Sequence, residues 1–440
     1  MFKNLKLIFN KTNKDIRKRL GFTLLCLFIF IVGTTIPVPG VISLKDIDFG
    51  DLANAITGDS LKRFSIFALG VMPYISATII TSLLQMDILP YFTELRDSGP
   101  AGRQKINQIN RYLGIFLAFI EGFAMSFALV ENAGAIDYLR ITLILTAGTA
   151  FLLWLGDQMT SKGIGNGISM IIMAGILATI PKTFIDTFQA LILDNTSLFL
   201  GIIEFILFVL IYVAIIVGVV FIENSERRIP IQYSNQTSSA YGAKQNYIPF
   251  RLNSAGVMPV IFASVIFTVP TFIAGLMKSE NAFVTFVNKY VNYTTPTGFA
   301  VYILLIFAFS FFYTFIQVNP EELSKNLNRQ GGYIPGIRPG KETVKYIKTV
   351  LGRITLIGAL FIAVIAGLPI IVSSFLSTNL PTSVSIGGTS ILIVVGVALE
   401  TTKQLESSLL NRSYSKRGKR IWRILYSSPH LQQVREHNQN

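Results

Sequence analysis

The sequence predicts an all-α polytopic membrane protein, with ten transmembrane helices in two inverted five-helix halves around a central pore. Three observations predict it. Hydrophobic residues make up 51% of the 440 residues and charged residues 14%, with a mean hydropathy of +0.55. That is too little charge to cover a soluble chain of this length. Ten stretches are apolar over roughly the 20 residues that a helix needs to cross a bilayer. Finally, two stretches of the first half return in the second.

The spans fall at 20–36, 66–86, 112–130, 141–160, 167–185, 199–222, 255–276, 299–318, 354–376 and 385–404. The fifth is the weakest, because Pro181 interrupts its strongest run. The chain divides into an N-terminal segment 1–19, an N-terminal half 20–185, a C-terminal half 199–404 and a basic tail 405–440. With the N-terminus in the cytoplasm, 31 of the 38 Lys and Arg lie on the inner side and 7 on the outer, counting those at span edges with the adjoining loop. Positive charge marks the cytoplasmic side, so both termini are expected there. No small-residue cleavage site follows the basic N-terminal stretch, and the first span is expected to be kept. The excess of Lys and Arg suits acidic partners such as phospholipid headgroups, RNA or an acidic protein face.

Gly70-Val71-Met72-Pro73 recurs 186 residues later as Gly256-Val257-Met258-Pro259, inside longer matching runs from Ala68 and from Ser254. Gly167–Ile176 is echoed 221 residues later by Gly388–Val397. Span 2 runs inward and span 7 outward, and spans 5 and 10 are opposed in the same way. Apolar segments broken by Gly and Pro at matching places in inverted halves point to a path at the repeat interface. The aligned positions are aliphatic: Ile75 matches Ile261, Ile172 matches Ile393, and Ile176 matches Val397. Ile79 lies one turn beyond Ile75, and Ile176 one turn beyond Ile172. Four helices each offering a β-branched residue near mid-membrane either pack as ordinary core or close a ring. Such a ring coordinates no ion, but it can seal by dewetting and still yield to something bulky and variable.

The outer segment 47–63 is moderately apolar and too short to span, so it is either a short re-entrant stopper or an external loop. Two inner loops are long. Residues 223–253 read as a protruding hairpin, with alternating stretches around Glu226–Tyr233 and Tyr247–Arg251. Residues 320–353 contain Gly331-Gly332-Tyr333-Ile334-Pro335-Gly336-Ile337-Arg338-Pro339-Gly340, whose Gly and Pro fix a defined loop with Arg338 at its tip. These basic loops either only orient the chain or dock a partner through RNA phosphates or acidic side chains. In the tail, Lys416–Arg423 either lies on anionic lipid or is solvated.

Several chemistries have no residues to carry them. Both histidines, His430 and His437, are in the tail. There is no phosphate-binding loop, no Cys-His-carboxylate cluster and no nucleophile elbow, so neither an enzyme nor a cofactor is expected. The single cysteine, Cys26, can form no internal disulfide. Of the acids in or near spans, only Glu121 looks deep, and one acid makes no proton pathway. Transport must be driven from elsewhere. A secondary transporter is the rival reading, but it needs polar ligands at the midplane that these spans hardly supply.

The stretches Ile36–Gly40, Phe64–Gly70, Gly163–Ser169, Arg227–Pro230, Asn319–Glu322, Gly336–Gly340 and Ile386–Ser390 occur in an order that resembles the SecY family along nearly the whole chain. The resemblance implies the central pore-forming subunit of a translocase: a passive channel that carries unfolded secretory polypeptides across the cytoplasmic membrane and releases transmembrane segments sideways into lipid. It implies a lateral gate of spans 2 and 3 against 7 and 8, and a pore ring of Ile75, Ile79, Ile172, Ile176, Ile261 and Ile393. A plug is implied at about 50–62, including Leu52, Ala53, Asn54, Ala55, Ile56 and Thr57. Arg338 is implied in motor coupling, with Arg227, Arg228 and Lys341 on the same docking face. Implied partners are SecE, SecG, the SecA ATPase, the ribosome, signal peptides and nascent chains, and membrane lipids.

Overall fold

The computed structural model describes residues 14–41, 63–85, 89–130, 134–193, 198–233, 246–277, 281–291, 295–375 and 390–409. The helices are α1 (Lys14–Thr35), α2 (Met72–Leu84), α3 (Pro90–Asp97), α4 (Pro100–Leu129), α5 (Ala135–Lys162), α6 (Gly167–Phe188) and α7 (Leu198–Asn224). They continue as α8 (Met258–Leu276), α9 (Ala282–Tyr290), α10 (Pro296–Gln317), α11 (Pro320–Arg329), α12 (Lys341–Phe375) and α13 (390–409). Strands β1 (Glu226–Tyr233), β2 (Asn246–Arg251) and β3 (Gly332–Tyr333) form one small sheet in the order β2-β1-β3. A helix stands over each of the ten predicted spans, and the protein is an all-α polytopic membrane protein.

Burial along the long helices follows a membrane pattern. In α7 the buried residues Phe208, Tyr212, Ile215, Val219 and Glu223 form one stripe at helical spacing. Its remaining surface is exposed and still apolar, with Leu210, Val217 and Phe221 among the most open. A helix apolar on all sides is stable only where its outer face meets lipid. In α1, Thr23, Cys26, Phe30 and Gly33 face inward while Leu24, Leu25 and Phe28 face outward.

The two halves repeat their packing. In the first, α2 packs on α4 and α4 on α5; in the second, α8 packs on α10 and α10 on α12. These pairs are spans 2–3–4 and 7–8–9. The halves meet where α2 touches α8, a smaller contact than either makes with its own half.

Three features depart from the spans read off the sequence. Helix α6 passes through Pro181 to Phe188 and a π-helical turn at Gln189–Leu193. In lipid the backbone has no water to turn to, so a proline is absorbed within the helix. Helices α4 and α12 begin about a dozen residues before their spans and measure about 45 and 50 Å, against a hydrocarbon core of about 30 Å. Hydropathy sees the bilayer's thickness rather than the helix's length. The second span opens on non-helical backbone, with α2 starting only at Met72.

The predicted hairpin forms, with Ile229 paired with Ile248 and Arg228 with Pro249. Its third strand, β3, was not foreseen: Tyr333 pairs with Gln232 and donates its hydroxyl to the Gln232 side chain at 3.0 Å. The loop 320–353 and the hairpin thereby share one core of Ile229, Phe250, Ile334, Ile347 and Leu351. Two loops read separately from the sequence fold as one knob on the end of α12.

Candidate functional site

The repeat is a structural device. Gly70 and Gly256 both adopt left-handed backbone, with φ of 55° and 63°. Each is followed by a valine at the N-cap, which offers no side-chain cap, and each helix then opens on Met-Pro. Glycine enters the left-handed region without a Cβ penalty, and proline suits a first turn that needs no N–H. Both helices thus start abruptly from irregular backbone.

Irregular backbone at membrane depth must pair its polar groups within the protein. Before α2, the Val38 amide donates to the Phe64 carbonyl at 3.0 Å, and the Ile66 amide to the Ile36 carbonyl at 3.0 Å. The Ala68 and Gly70 amides donate to the Ser65 and Phe67 carbonyls. Helix α5 packs so closely here that a Cβ at Gly148 would lie 2.0 Å from the Ile66 carbonyl oxygen.

These starts bring Ile75, Ile172, Ile261 and Ile393, from α2, α6, α8 and α13, onto the wall of one cavity of about 400 Å³. Val397, the repeat partner of Ile176, lines it as well. Ile79 and Ile176 sit one turn along, buried in the same apolar cluster as the other four. All six isoleucines named from the sequence are at most 5% exposed.

Leu153, Ile168, Val257 and Met258 extend the apolar wall, and the same cavity is lined by the polar Asn107, Asn110, Asp157, Thr160, Asn166 and Ser169. These lie where α4 and α6 begin and α5 ends, on the membrane face that carries the basic loops. Arg111 and Asp157 form an ion pair across α4 and α5, with side chains 44% and 38% exposed. Asn110 accepts a hydrogen bond from Thr81, tying α4 to α2. At the start of α6 the Asn166 side chain caps the helix by accepting from the Ile168 amide at 3.1 Å. The cavity is a polar vestibule over an apolar floor. Sequence reading missed these polar residues, because Asp157 looked like a span-end charge and its pairing with Arg111 is not local.

The residues expected to dock a partner are exposed on the knob. Arg228 bonds Glu226 at 2.7 Å and lies 4.7 Å from the Tyr247 ring centroid. The hydrogen bond to Glu226 holds its guanidinium further toward the charged form. Arg227 stands beside it, unburied. The Arg338 side chain is exposed, while its carbonyl accepts from the Thr343 hydroxyl at 2.9 Å. Gly336 and Gly340 flank it with φ of 80° and 102°, so the tip is a fixed turn. Lys341 follows at the first turn of α12. Leu52, Ala53, Asn54, Ala55, Ile56 and Thr57, and the whole range 50–62 expected to form a plug, lie outside the described residues. Among the described residues, no group of three His, Cys, Asp or Glu could hold a metal ion.

Known proteins place this geometry in context. The SecY family model matches residues 65–402. The protein translocase subunit SecY of Halalkalibacterium halodurans is 47% identical over 430 residues, covering 94% of this chain and 99% of the relative. That of Bacillus subtilis is 47% identical over 416 residues, covering 91% and 96%. Among solved structures, a protein-conducting channel superposes with a TM-score of 0.63 at 17% identity, covering 89% of this chain and 92% of that one. Sec61 from a canine ribosome–channel complex gives 0.60 at 17% identity, with the same coverage. At such identity these two structures speak for the shared fold.

Proposed function

The chain belongs to the SecY family, and from that premise we propose how its waist, gate and knob conduct a polypeptide. The protein is a multi-pass membrane protein and the pore-forming subunit of a protein translocase: it conducts unfolded secretory chains and releases transmembrane segments into lipid. Ile75, Ile79, Ile172, Ile176, Ile261 and Ile393 form the pore ring. Residues of about 50–62 plug it, and the gate opens between α2–α4 and α8–α10. The chain resides in the cytoplasmic membrane with both termini in the cytoplasm, so the polar vestibule is the entry side. It is no enzyme in this reading; energy comes from the SecA ATPase or the ribosome. These dock on the knob through Arg227, Arg228, Arg338 and Lys341, and SecE and SecG complete the channel.

One observation carries the ring: isoleucines from four helices, two in each half, line a single cavity. Ordinary core packing does not require the repeat positions of both halves to converge on one void. The transporter alternative is set aside, since the floor offers no ligand for a small polar solute. Cysteines at Ile79 and Ile176 are expected to crosslink to a stalled, translocating chain, whereas cysteines at the lipid-facing Leu207 and Val217 are not. Reaction at the α7 positions alone would refute the ring.

A further inference from the structure

Gate helix α8 hangs from the knob through a buried polar joint. Asn253 follows β2 and is 5% exposed; Glu223, near the end of α7, is 8% exposed. The Asn253 side-chain amide donates to the Glu223 carboxylate at 2.6 Å and to the Gly256 carbonyl at 2.9 Å. Lys403 of α13 donates to the Glu223 carbonyl at 3.0 Å, and the Leu252 amide to the Ser225 carbonyl at 3.0 Å. A Cβ at Gly358 of α12 would lie 2.5 Å from the Leu252 carbonyl oxygen, so α12 presses on the same segment. One amide thus spans the end of α7, the exit from the hairpin and the left-handed glycine from which α8 starts.

A loop whose only task was to connect would need none of this. Burying a carboxylate is costly, and the cost is offset only when its partners are held in place. Here those partners turn the few residues between strand and helix into a rigid link. We propose that Asn253 is a positioning residue that makes the hairpin and helix α8 move as one lever, so that a partner gripping the knob shifts the gate. This deepens the docking-and-gate reading above and rests on it.

The test uses the complete translocase in lipid, with Cys26→Ala and spin labels on cysteines at the lipid-facing Ile80 of α2 and Ile266 of α8. Translating ribosomes are the docking probe. In the parent protein, docking is expected to change the label separation. In Asn253→Ala, docking affinity should stay within about twofold while the gate response and translocation fall by at least about tenfold, the factor that one charge-assisted hydrogen bond supplies. Glu223→Gln keeps an oxygen that can accept from Asn253 and should retain the response. The double variant Asn253→Leu with Glu223→Leu removes both polar groups together, keeps the Glu223 backbone carbonyl that Lys403 bonds, and should fold yet remain uncoupled. A full gate response in Asn253→Ala or in the double variant overturns the lever. Loss of docking in the double variant does so too, since it would make the pair part of the docking face. No gate response in the parent protein refutes the docking-and-gate reading itself, and the lever with it.

Discussion

Replacing Gly256 with alanine isolates the backbone's share of the repeat. Gly256 has φ of 63°, and a Cβ built there meets nothing within 4 Å. No neighbour must move, so the whole effect is that of forcing an L-residue into the left-handed region, about 1–2 kcal/mol. Gly352, within α12, also meets nothing within 4 Å, but its backbone is helical. Alanine there should stabilise by about 0.4–1 kcal/mol, because it restricts the unfolded chain. Two glycine-to-alanine changes with equal free space should therefore differ in sign. Asparagine tolerates the left-handed region better than alanine does, so Gly256→Asn should recover part of the loss. Gly70→Ala should cost at least as much as Gly256→Ala, since Gly70 is buried as well as left-handed. The assay is reversible unfolding in mixed micelles, followed by far-ultraviolet circular dichroism. If Gly256→Ala matches Gly352→Ala in sign, α8 does not start from a left-handed residue, and the equivalence of the two helix starts is lost.

Asparagine at both Ile172 and Ile393 should hydrate the waist, raising potassium efflux from proteoliposomes at least about tenfold if the two amides lower the barrier by only about 1.4 kcal/mol; unchanged efflux would place the seal elsewhere. Arg338→Glu should reduce secretion to a small fraction of the parent rate while the membrane complex still copurifies intact, and normal secretion would remove Arg338 from coupling. Because the Arg111–Asp157 pair is more than a third exposed, Asp157→Asn should cost less than about 1 kcal/mol and lose even that in high salt. A salt-independent loss of several kcal/mol would mean that the vestibule is dry.

What could be read from the sequence was what the chain states covalently. Gly70 and Gly256 declare their backbone by lacking a Cβ, Pro73 and Pro259 declare a first turn, and two matching runs reveal an inverted repeat without any contact being known. The isoleucine positions followed from alignment of those runs. What could not be read depends on distant partners. Arg111 and Asp157 lie on different helices, and β3 is two residues whose only strand signal is the hairpin they join, about a hundred positions away. The short helices α3 and α9 fall in segments too brief for an apolar period to show. Pro181 misled for a physical reason: a proline that ends helices in water is absorbed in lipid, where broken backbone has no solvent partner.

The burial of the six isoleucines also constrains how the waist can part. Each is almost fully buried, and exposing an isoleucine side chain to water costs about 1.5–3 kcal/mol. Wetting all six together would cost about 9–18 kcal/mol, an upper bound since some contacts re-form among neighbours. At tenfold per 1.4 kcal/mol, even the lower figure leaves a water-filled opening populated less than about once in a million. Docking alone has no need to supply that energy if the isoleucines exchange one apolar neighbour for another. A signal core of about 7–15 apolar residues, entering between α2 and α8 where the halves meet, replaces the lost contacts as they break. On this account the seal and the preference for apolar segments have one origin, and the client's apolar stretch must reach the waist before water does.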